Sequence, residues 1–473
     1  MKWTAEQEAV LTARGCNLLV AAAAGSGKTA VLVERIVRLV LEGETPPDLD
    51  NILVVTFTQA AAAEMRERIR KALTGLATAG NERARGQLAR ISDAPISTIH
   101  SFCLNVLREQ FHQAGLEPGF RVGEQTECAL MLAEAVDALM DECYGRDPLD
   151  PAVADLLDCH AGYRDDTRLR ERITEMWRFS RTMPWPDAWL EASLARMRIP
   201  EGTDFGQTDW GRILLEQALW RLEDLARETE RALRLAEDAG FESYAATLLL
   251  DQALLEGLTA DLDGGWDAAV RALQAVKFSS LKRAPKDADP LVRDRIKDAR
   301  QKVKDGVSRI GEELLCGFSD AVCADIRGES GRLETLVALV QALDRVYGRM
   351  KRRRNLVDFD DMEHMTLGLL AVPDPNGTAV PTALAETMRA RWHAVIIDEY
   401  QDSNLVQETI LGAVATQGDQ SGNLFMVGDV KQSIYRFRQA MPELFLSKYA
   451  TYPLQAGTAT RKILLHRNFR SRK

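Results

Sequence analysis

The sequence predicts an α/β fold in which a parallel β-sheet with flanking helices is interrupted by a large all-helical insertion. Strand-like apolar runs occupy residues 17–22, 52–57, 393–398, 424–428 and 462–465. Small or polar residues and then a helical pattern follow each of the first four runs, as in a parallel sheet with crossover helices. Between residues 108 and 392 the strand pattern disappears and helical periodicity replaces it.

The helical region carries one clear amphipathic stripe. Apolar or small side chains recur there at three- and four-residue spacings, namely Leu215, Leu219, Leu222, Leu225, Thr229 and Leu233. Residues 289–315 predict a second helix, which we expect to be a solvated arm or hairpin because it is strongly charged. The basic run at 351–354 predicts a solvated helix end. We therefore expect an α/β lobe built from residues 1–108 and 356–473, with a helical insertion at 109–355.

Composition excludes several classes of protein. The 473 residues are 46% hydrophobic and 27% charged, which is typical of globular proteins and not of disordered chains. No run of 18 uncharged apolar residues exists, so no membrane span is expected. Seven scattered cysteines without a CxxC motif favour a reducing cytoplasm and offer no zinc site. The net charge of −10 does not indicate nucleic-acid binding, so any DNA site has to be a local groove.

The first apolar run leads into a loop of small residues, Ala23-Ala-Gly-Ser-Gly-Lys-Thr, and then a helix. Such a loop wraps backbone N–H groups and a helix N-terminus around phosphate oxygens. Lys28 adds a positive charge, and the hydroxyl of Thr29 can ligate Mg²⁺. A small-residue turn that binds nothing is the alternative, which the register of strand, loop and helix disfavours. The predicted nucleotide contacts are Ala22, Ala23, Ala24, Gly25, Ser26, Gly27, Lys28 and Thr29.

One residue of this loop departs from the general pattern, which has glycine where Ala22 stands. Alanine fits there if its φ angle is negative, because only a positive φ requires glycine. The departure therefore leaves the prediction of a nucleotide-binding loop in place.

A later apolar run ends in two acids, Ala394-Val-Ile-Ile-Asp-Glu. A phosphate loop needs a carboxylate from a second strand for the metal and a group that orients the attacking water. Asp398 is the candidate on the metal side, through water, and Glu399 is the candidate that polarises the nucleophilic water. A strand that ends in solvated acids is the alternative, and the phosphate loop elsewhere in the chain argues against it.

Several segments resemble the motifs of UvrD/RecB-type superfamily 1 DNA helicases, in that family's order. They begin at Thr4, Thr56, Ile96, Leu356, Asp398, Val427 and His466. The resemblance covers both α/β ends closely and the insertion loosely. Within the family, the phosphate loop and the segments at 96–103 and 428–440 are most similar to the AddA-type subunit of bacterial ATP-dependent helicase/nucleases. Gln59 stands where the AddA-type protein usually has asparagine, without an evident chemical consequence.

The resemblance implies roles for individual residues. Gln7 recognises adenine, Gln432 senses the γ-phosphate, and Arg470 reaches the γ-phosphate across a cleft. With these, the implied catalytic set is Lys28, Asp398, Glu399, Gln432 and Arg470, and Thr29 and Asp398 hold the metal. The implied DNA contacts are Thr56, Phe57, Thr58, Thr98, His100, Phe102, Tyr435, Phe437 and Arg438. Residue types alone leave core packing open for Tyr435 and Phe437, and a core or capping role open for His100.

The resemblance also implies a RecA-like lobe that uses ATP and Mg²⁺, with 3′-to-5′ translocation on DNA. Expected partners are single-stranded DNA, DNA ends and a second, AddB-like helicase/nuclease subunit. The second RecA-like lobe and the nuclease domain are absent from these 473 residues, so we expect ATP and DNA binding with poor turnover. A UvrD-like repair helicase without a nuclease and a non-motor ATP- and DNA-binding module remain alternatives, whereas residues 432–438 disfavour a P-loop kinase.

Overall fold

The computed structural model describes residues 3–23, 25–146, 148–160, 165–284, 289–416, 422–432 and 440–468. The chain divides into two compact units. Unit 1 comprises Met1–Glu191 and Leu336–Lys473, and unit 2 comprises Ala192–Thr335. Unit 2 is therefore narrower than the predicted insertion at 109–355, because the helical residues on either side of it cluster with the α/β unit.

Ten strands form one large and two small sheets within the described residues. They are β1 (Asn17–Ala22), β2 (Ile52–Thr56), β3 (Ile96–Thr98), β4 (Arg121–Val122), β5 (Leu356–Val357), β6 (Ala371–Pro373), β7 (Ala379–Pro381), β8 (Ala394–Ile397), β9 (Leu424–Gly428) and β10 (Thr460–Leu465). The large sheet has the order β10-β1-β9-β8-β2-β3. All its strand pairs are parallel, which confirms the predicted parallel sheet.

The helices surround this sheet in unit 1 and make up unit 2. They are α1 (Ala5–Thr12), α2 (Lys28–Leu41), α3 (Gln59–Thr78), α4 (Glu82–Arg90), α5 (Ile99–Glu109), α6 (Gln125–Tyr144), α7 (Pro151–His160), α8 (Thr167–Ser180), α9 (Pro186–Met197), α10 (Asp209–Asp238), α11 (Glu242–Asp263), α12 (Trp266–Ala275), α13 (Pro290–Arg309), α14 (Ser319–Arg353), α15 (Phe359–Leu370), α16 (Ala383–Arg391), α17 (Leu405–Val414) and α18 (Pro442–Thr451). None of the helices in the described part of the chain combines the length and apolarity needed to cross a bilayer.

Both faces of the large sheet are covered, which is why its strands are almost continuously apolar. Alternate residues of one strand point to opposite faces. Leu18 and Val20 of β1 accordingly pack with α1–α4, whereas Leu19 packs with α5 and α15–α18. The carboxyl ends of these parallel strands meet at one edge, where the loops after β1, β2, β8 and β9 can form a single site.

In unit 2, the predicted amphipathic stripe is confirmed on α10, where Leu222, Thr229 and Leu233 are buried. The expectation that residues 289–315 form a solvated arm is wrong. One face of α13 packs against α10, and it buries Val303 and Arg300. Arg300 is compatible with burial because it forms an ion pair with buried Asp251, with Nε 2.6 Å from Oδ2. The sequence pattern did not reveal this apolar face, because its buried residues are spaced three and four positions apart among exposed charged residues.

Candidate functional site

The phosphate loop connects the end of β1 to the start of α2, as the sequence predicts. Ala22 is the last residue of β1 and pairs with Leu465, so its backbone is extended and tolerates a side chain. Gly25 and Gly27 have φ angles of +76° and +83°, in the left-handed region that favours glycine. Gly27 is the N-cap of α2 and supplies no side-chain hydrogen bond to that helix end. The N–H groups of the first turn are therefore suited to an anionic ligand.

Gln7 lies against this loop. Its side chain and that of Thr4 form a reciprocal capping box at the start of α1. The Gln7 Nε2 also donates a hydrogen bond to the Ser26 carbonyl oxygen at 3.2 Å, and the residue is only 5% exposed. The structure thus brings Gln7 to the nucleotide loop through the loop backbone, and adenine recognition by Gln7 stays a prediction.

The acidic pair follows β8 at the same edge of the sheet. The Asp398 N–H donates to the Val55 carbonyl oxygen at 2.9 Å, which anchors the pair to β2. Glu399 has a φ of +51°, an uncommon conformation for a residue with a side chain. Its Oε2 lies 3.2 Å from Lys28 Nζ. The predicted catalytic lysine and glutamate, 371 positions apart in sequence, therefore contact each other directly.

Asp398 carries a perturbed carboxyl group. Burial, followed by the negative charge of Glu399, raises the pKa of Asp398 to about 6. A cation bound beside it would favour the ionised form. The oxygen donors of Asp398 and Thr29 are the kind that Mg²⁺ prefers, and this ion usually keeps several waters and substrate phosphates as its other ligands. In the described ranges, no group of three or more His, Cys, Asp or Glu side chains could hold a metal ion.

Gln401 and Asp429 were not singled out from the sequence, although both lie inside recognised motifs. Gln401 is 1% exposed, donates from Nε2 to Glu399 Oε2 at 3.0 Å, and accepts from the Asp429 N–H at 2.9 Å. The Gln432 Nε2 in turn donates to Asp429 Oδ2 at 2.6 Å. A continuous polar chain thus runs from Lys28 to Gln432. We call it the motif chain.

Close packing supports the motif chain. A Cβ added to Gly428, at the end of β9, would lie 2.4 Å from Gln401 Oε1 and 3.2 Å from the Gln401 backbone nitrogen. Glycine is required at 428 because the 401 side chain fills that space. The sequence feature that could have revealed Gln401 is its position two residues after the acidic pair. In the structure its side chain lies directly opposite Gly428.

The predicted threonine contacts occupy the loops after β2 and β3. Thr58 and Thr98 are the N-caps of α3 and α5 and accept hydrogen bonds from backbone N–H groups there. Thr56 is buried and donates to the Thr58 carbonyl oxygen at 3.1 Å. Gln59 does have a chemical consequence, because its Nε2 donates to Ser101 Oγ at 2.7 Å and thereby joins the two loops.

The predicted aromatic contacts are distributed unevenly. His100 is about one-third exposed, and its ring meets the ring of Phe359 edge-on with centroids 5.1 Å apart. Phe359, which the sequence did not single out, is 49% exposed. Phe57 is partly exposed, whereas Phe102 is buried in the core beneath the sheet. The structure therefore places Phe359, rather than Phe102, at the surface beside His100.

The basic run at 351–354 is not uniformly solvated, contrary to expectation. Lys351 is 5% exposed, and its Nζ lies 2.7 Å from Asp358 Oδ2 and 2.6 Å from Asp361 Oδ2. These two acids form a capping box at the start of α15, so the lysine anchors that helix. A buried charged group requires oppositely charged or hydrogen-bonding partners. The sequence around Lys351 does not show which residues those partners are.

Five predicted site residues lie outside the described residues: Ala24, Tyr435, Phe437, Arg438 and Arg470.

Comparison with known proteins decides the family. The family model of the UvrD/REP helicase N-terminal domain matches residues 3–187 and 220–453. The chain belongs to this helicase family. Across its whole length this UvrD/REP-type chain is 43% identical to the A subunit of the ATP-dependent helicase/nuclease of Acetivibrio thermocellus, and 42% identical to the protein of the same name from Ruminiclostridium cellulolyticum. It is also 39% identical to the one from Clostridioides difficile.

The helicase-family chain spans 38% of the length of the Acetivibrio and Ruminiclostridium proteins and 37% of the Clostridioides protein. The predicted resemblance to UvrD-type helicases, and within them to the helicase/nuclease proteins, is confirmed by these matches.

Proposed function

We propose that the chain is the nucleotide-binding lobe of an ATP-dependent DNA helicase, within a helicase/nuclease that processes double-strand breaks for recombinational repair. Its relatives carry the name of such an enzyme. The proposed ligands are ATP with Mg²⁺ and single-stranded DNA, the proposed direction of translocation is 3′ to 5′, and DNA ends are the substrate of the whole protein.

The motif chain carries this proposal. It joins the phosphate-loop lysine, the acidic pair and the glutamine after β9 by direct contacts. Such a connection can report the presence of a terminal phosphate to the segment that follows Gln432, which holds the predicted DNA aromatics Tyr435 and Phe437. A motor protein requires this kind of link between its nucleotide site and the DNA along which it moves.

The proposed division of labour follows from the residue chemistry. Lys28 neutralises phosphate charge, and it has to exchange its contact with Glu399 for a phosphate oxygen when nucleotide binds. Glu399 is then free to accept a proton from the attacking water. Asp398 and Thr29 would hold Mg²⁺, which would neutralise charge on the phosphates. The proposed γ-phosphate contacts are Gln432 and Arg470.

The proposed DNA surface lies at the loops after β2 and β3. Thr58 has an exposed hydroxyl in the loop after β2, and His100 and Phe359 offer a paired ring surface in the same unit. Aromatic faces stack on bases of any sequence, and short polar side chains contact phosphate oxygens. This combination suits single-stranded DNA without strong sequence preference.

ATP hydrolysis, measured with and without single-stranded DNA, tests the proposal. We expect binding of a fluorescent ATP analogue and any DNA-stimulated turnover to be lost in Lys28→Ala. Lys71→Ala is the matched control, because Lys71 is highly exposed on α3. A wild-type chain that binds neither the analogue nor an oligonucleotide would contradict the proposal.

The partner subunit and the cellular compartment are proposed in general terms. The name of the relatives implies a second subunit, and we propose an AddB-like one. All seven cysteines are free, which is compatible with a cytoplasmic protein. A UvrD-like repair helicase without a nuclease is the remaining candidate, and co-purification with a second subunit separates the two.

A further inference from the structure

A buried carboxylate joins the proposed DNA surface to the segment that follows the acidic pair. Glu363, on α15, is 5% exposed. Its Oε1 lies 3.2 Å from His100 Nε2 and accepts from Gln407 Nε2 at 2.7 Å. Its Oε2 accepts from Asn404 Nδ2 at 3.3 Å. Two segments of unit 1 that are distant in sequence, one at His100 and one at the start of α17, therefore converge on the Glu363 side chain.

Glu363 is held as an anion. Burial raises the pKa of Glu363, but the contact with His100 and the donors Gln407 and Asn404 outweigh it, so the pKa lies below its ordinary value. A buried carboxylate of this kind acts as a fixed acceptor. It favours an imidazole that carries a proton on the nitrogen facing it.

The consequence for His100 concerns both its tautomer and its orientation. Nε2 lies 3.2 Å from the carboxylate, so the ring edge that carries this nitrogen is turned toward α15. Phe359 and Glu363 are four residues apart on α15, so both lie on the same side of that helix. The ring is therefore fixed by the carboxylate at one nitrogen and by the Phe359 ring edge-on.

We propose that Glu363 is the positioning residue of the DNA surface: it holds His100 by Nε2 and fixes the orientation in which the imidazole ring meets a base of single-stranded DNA. This inference rests on the proposed function. Asn404 is also the N-cap of α17, the helix that begins three residues after Asp402. Glu363 thereby connects the DNA contact to the backbone just beyond the acidic pair.

A double-mutant cycle tests the positioning role in the full chain. Binding of a fluorescent oligothymidylate is measured for wild type, Glu363→Gln, His100→Ala and the double variant. We expect each single variant to bind about tenfold more weakly, which lies within the range for the loss of one base-stacking contact. The double variant should be no weaker than either single one. Glu386→Gln, the same change at an exposed site on α16, should bind like wild type.

A purely structural role gives a different pattern. The losses would then multiply to about a hundredfold in the double variant, and binding of a fluorescent ATP analogue would fall as well. Either result, or wild-type DNA affinity in Glu363→Gln, would overturn the proposal.

The second measurement does not depend on DNA. Side-chain ¹⁵N spectra of the six histidines, with His100 assigned through His100→Ala, report which ring nitrogen carries the proton. We expect His100 to be protonated on Nε2 in wild type and to lose this preference in Glu363→Gln. A ring protonated on Nδ1 alone in wild type would exclude the positioning role. Failure of the wild-type chain to bind the oligonucleotide, with the expected spectrum, would instead count against the proposed function.

Discussion

Replacing Gln401 by glutamate is the sharpest test of the motif chain. The Gln401 Nε2 donates to Glu399 Oε2 at 3.0 Å and to Asp402 Oδ2 at 3.1 Å, at a position that is 1% exposed. Gln401→Glu keeps the size of the side chain and replaces this donor with an acceptor. A third carboxyl group then lies within hydrogen-bond distance of two others, at a buried position.

The magnitude follows from the contacts that are lost. Two hydrogen bonds to charged groups contribute roughly 1.5–3 kcal/mol each. Near pH 8 the repulsion among the carboxyl groups, or the cost of protonating the introduced one well above its ordinary pKa, adds to this loss. We therefore expect unit 1 to lose at least roughly 3 kcal/mol of unfolding free energy near pH 8.

The pH dependence has a definite sign. Like charges and burial raise the folded-state pKa of the introduced carboxyl above its unfolded value. The folded state then binds its proton more tightly than the unfolded chain, so the destabilisation is smallest at low pH and grows as the pH rises through the folded-state pKa. Gln401→Leu loses these two hydrogen bonds and also the one accepted from the Asp429 N–H, but it introduces no titrating group, so its cost should not follow this dependence.

Thermal unfolding of both variants and wild type, at about pH 5.5 and pH 8, measures these differences. Gln113→Glu is the matched control, since Gln113 is exposed. A melting-temperature shift for Gln401→Glu that is the same at both pH values, or a wild-type melting temperature for Gln401→Glu at pH 8, would refute the reasoning. The motif chain would then be a set of contacts without energetic weight.

Three further predictions concern single groups. Lys28→Ala should weaken binding of a fluorescent ATP analogue by more than tenfold, because a charge-assisted phosphate contact is lost. A fluorescence titration measures this affinity, and an unchanged value would exclude phosphate binding by the loop. Asp251→Asn should cost unit 2 about 3–5 kcal/mol, seen as a lower melting temperature, because it leaves Arg300 buried without its charged partner; a shift below one degree would contradict this. Asp398→Asn should raise the melting temperature near pH 8 more than near pH 4, without nucleotide or Mg²⁺. Because the folded-state pKa of Asp398, about 6, lies above its ordinary value, ionisation of this group lowers stability progressively as the pH rises from about 4 to about 6, by about 1–2 kcal/mol after allowance for partial exposure; an equal shift at both pH values would count against it.

The local sequence pattern predicted most strands of the large sheet. β1 and β9 have the predicted bounds, and β2, β8 and β10 differ by one or two residues at their ends. The order of the strands in the sheet could not be predicted from the sequence, because strand pairing depends on crossover connections that hydrophobic periodicity does not encode. β3 was identified only as part of a motif, since three residues are too few to show a period.

The site divides in the same way. Lys28, Asp398 and Glu399 were predicted because phosphate chemistry restricts which residue types can serve. Gln401 and Glu363 were missed, since their importance arises from partners 28 to 263 positions away and not from their own spacing. Lys351 was misjudged for the same reason, because its burial depends on two acids at the start of α15.

The strand order also determines when the lobe can form on the ribosome. β1 is complete by residue 22, but both of its neighbours in the sheet, β9 and β10, begin only at Leu424 and Thr460. At about 5–20 residues per second, roughly 20–80 seconds of synthesis separate β1 from its partners. Unit 2 is contiguous and can fold during this delay, while the apolar edge of β1 awaits its neighbours. Premature association of nascent chains through that edge is thus the characteristic hazard of this topology, and slow translation or reduced chaperone supply should lower soluble yield.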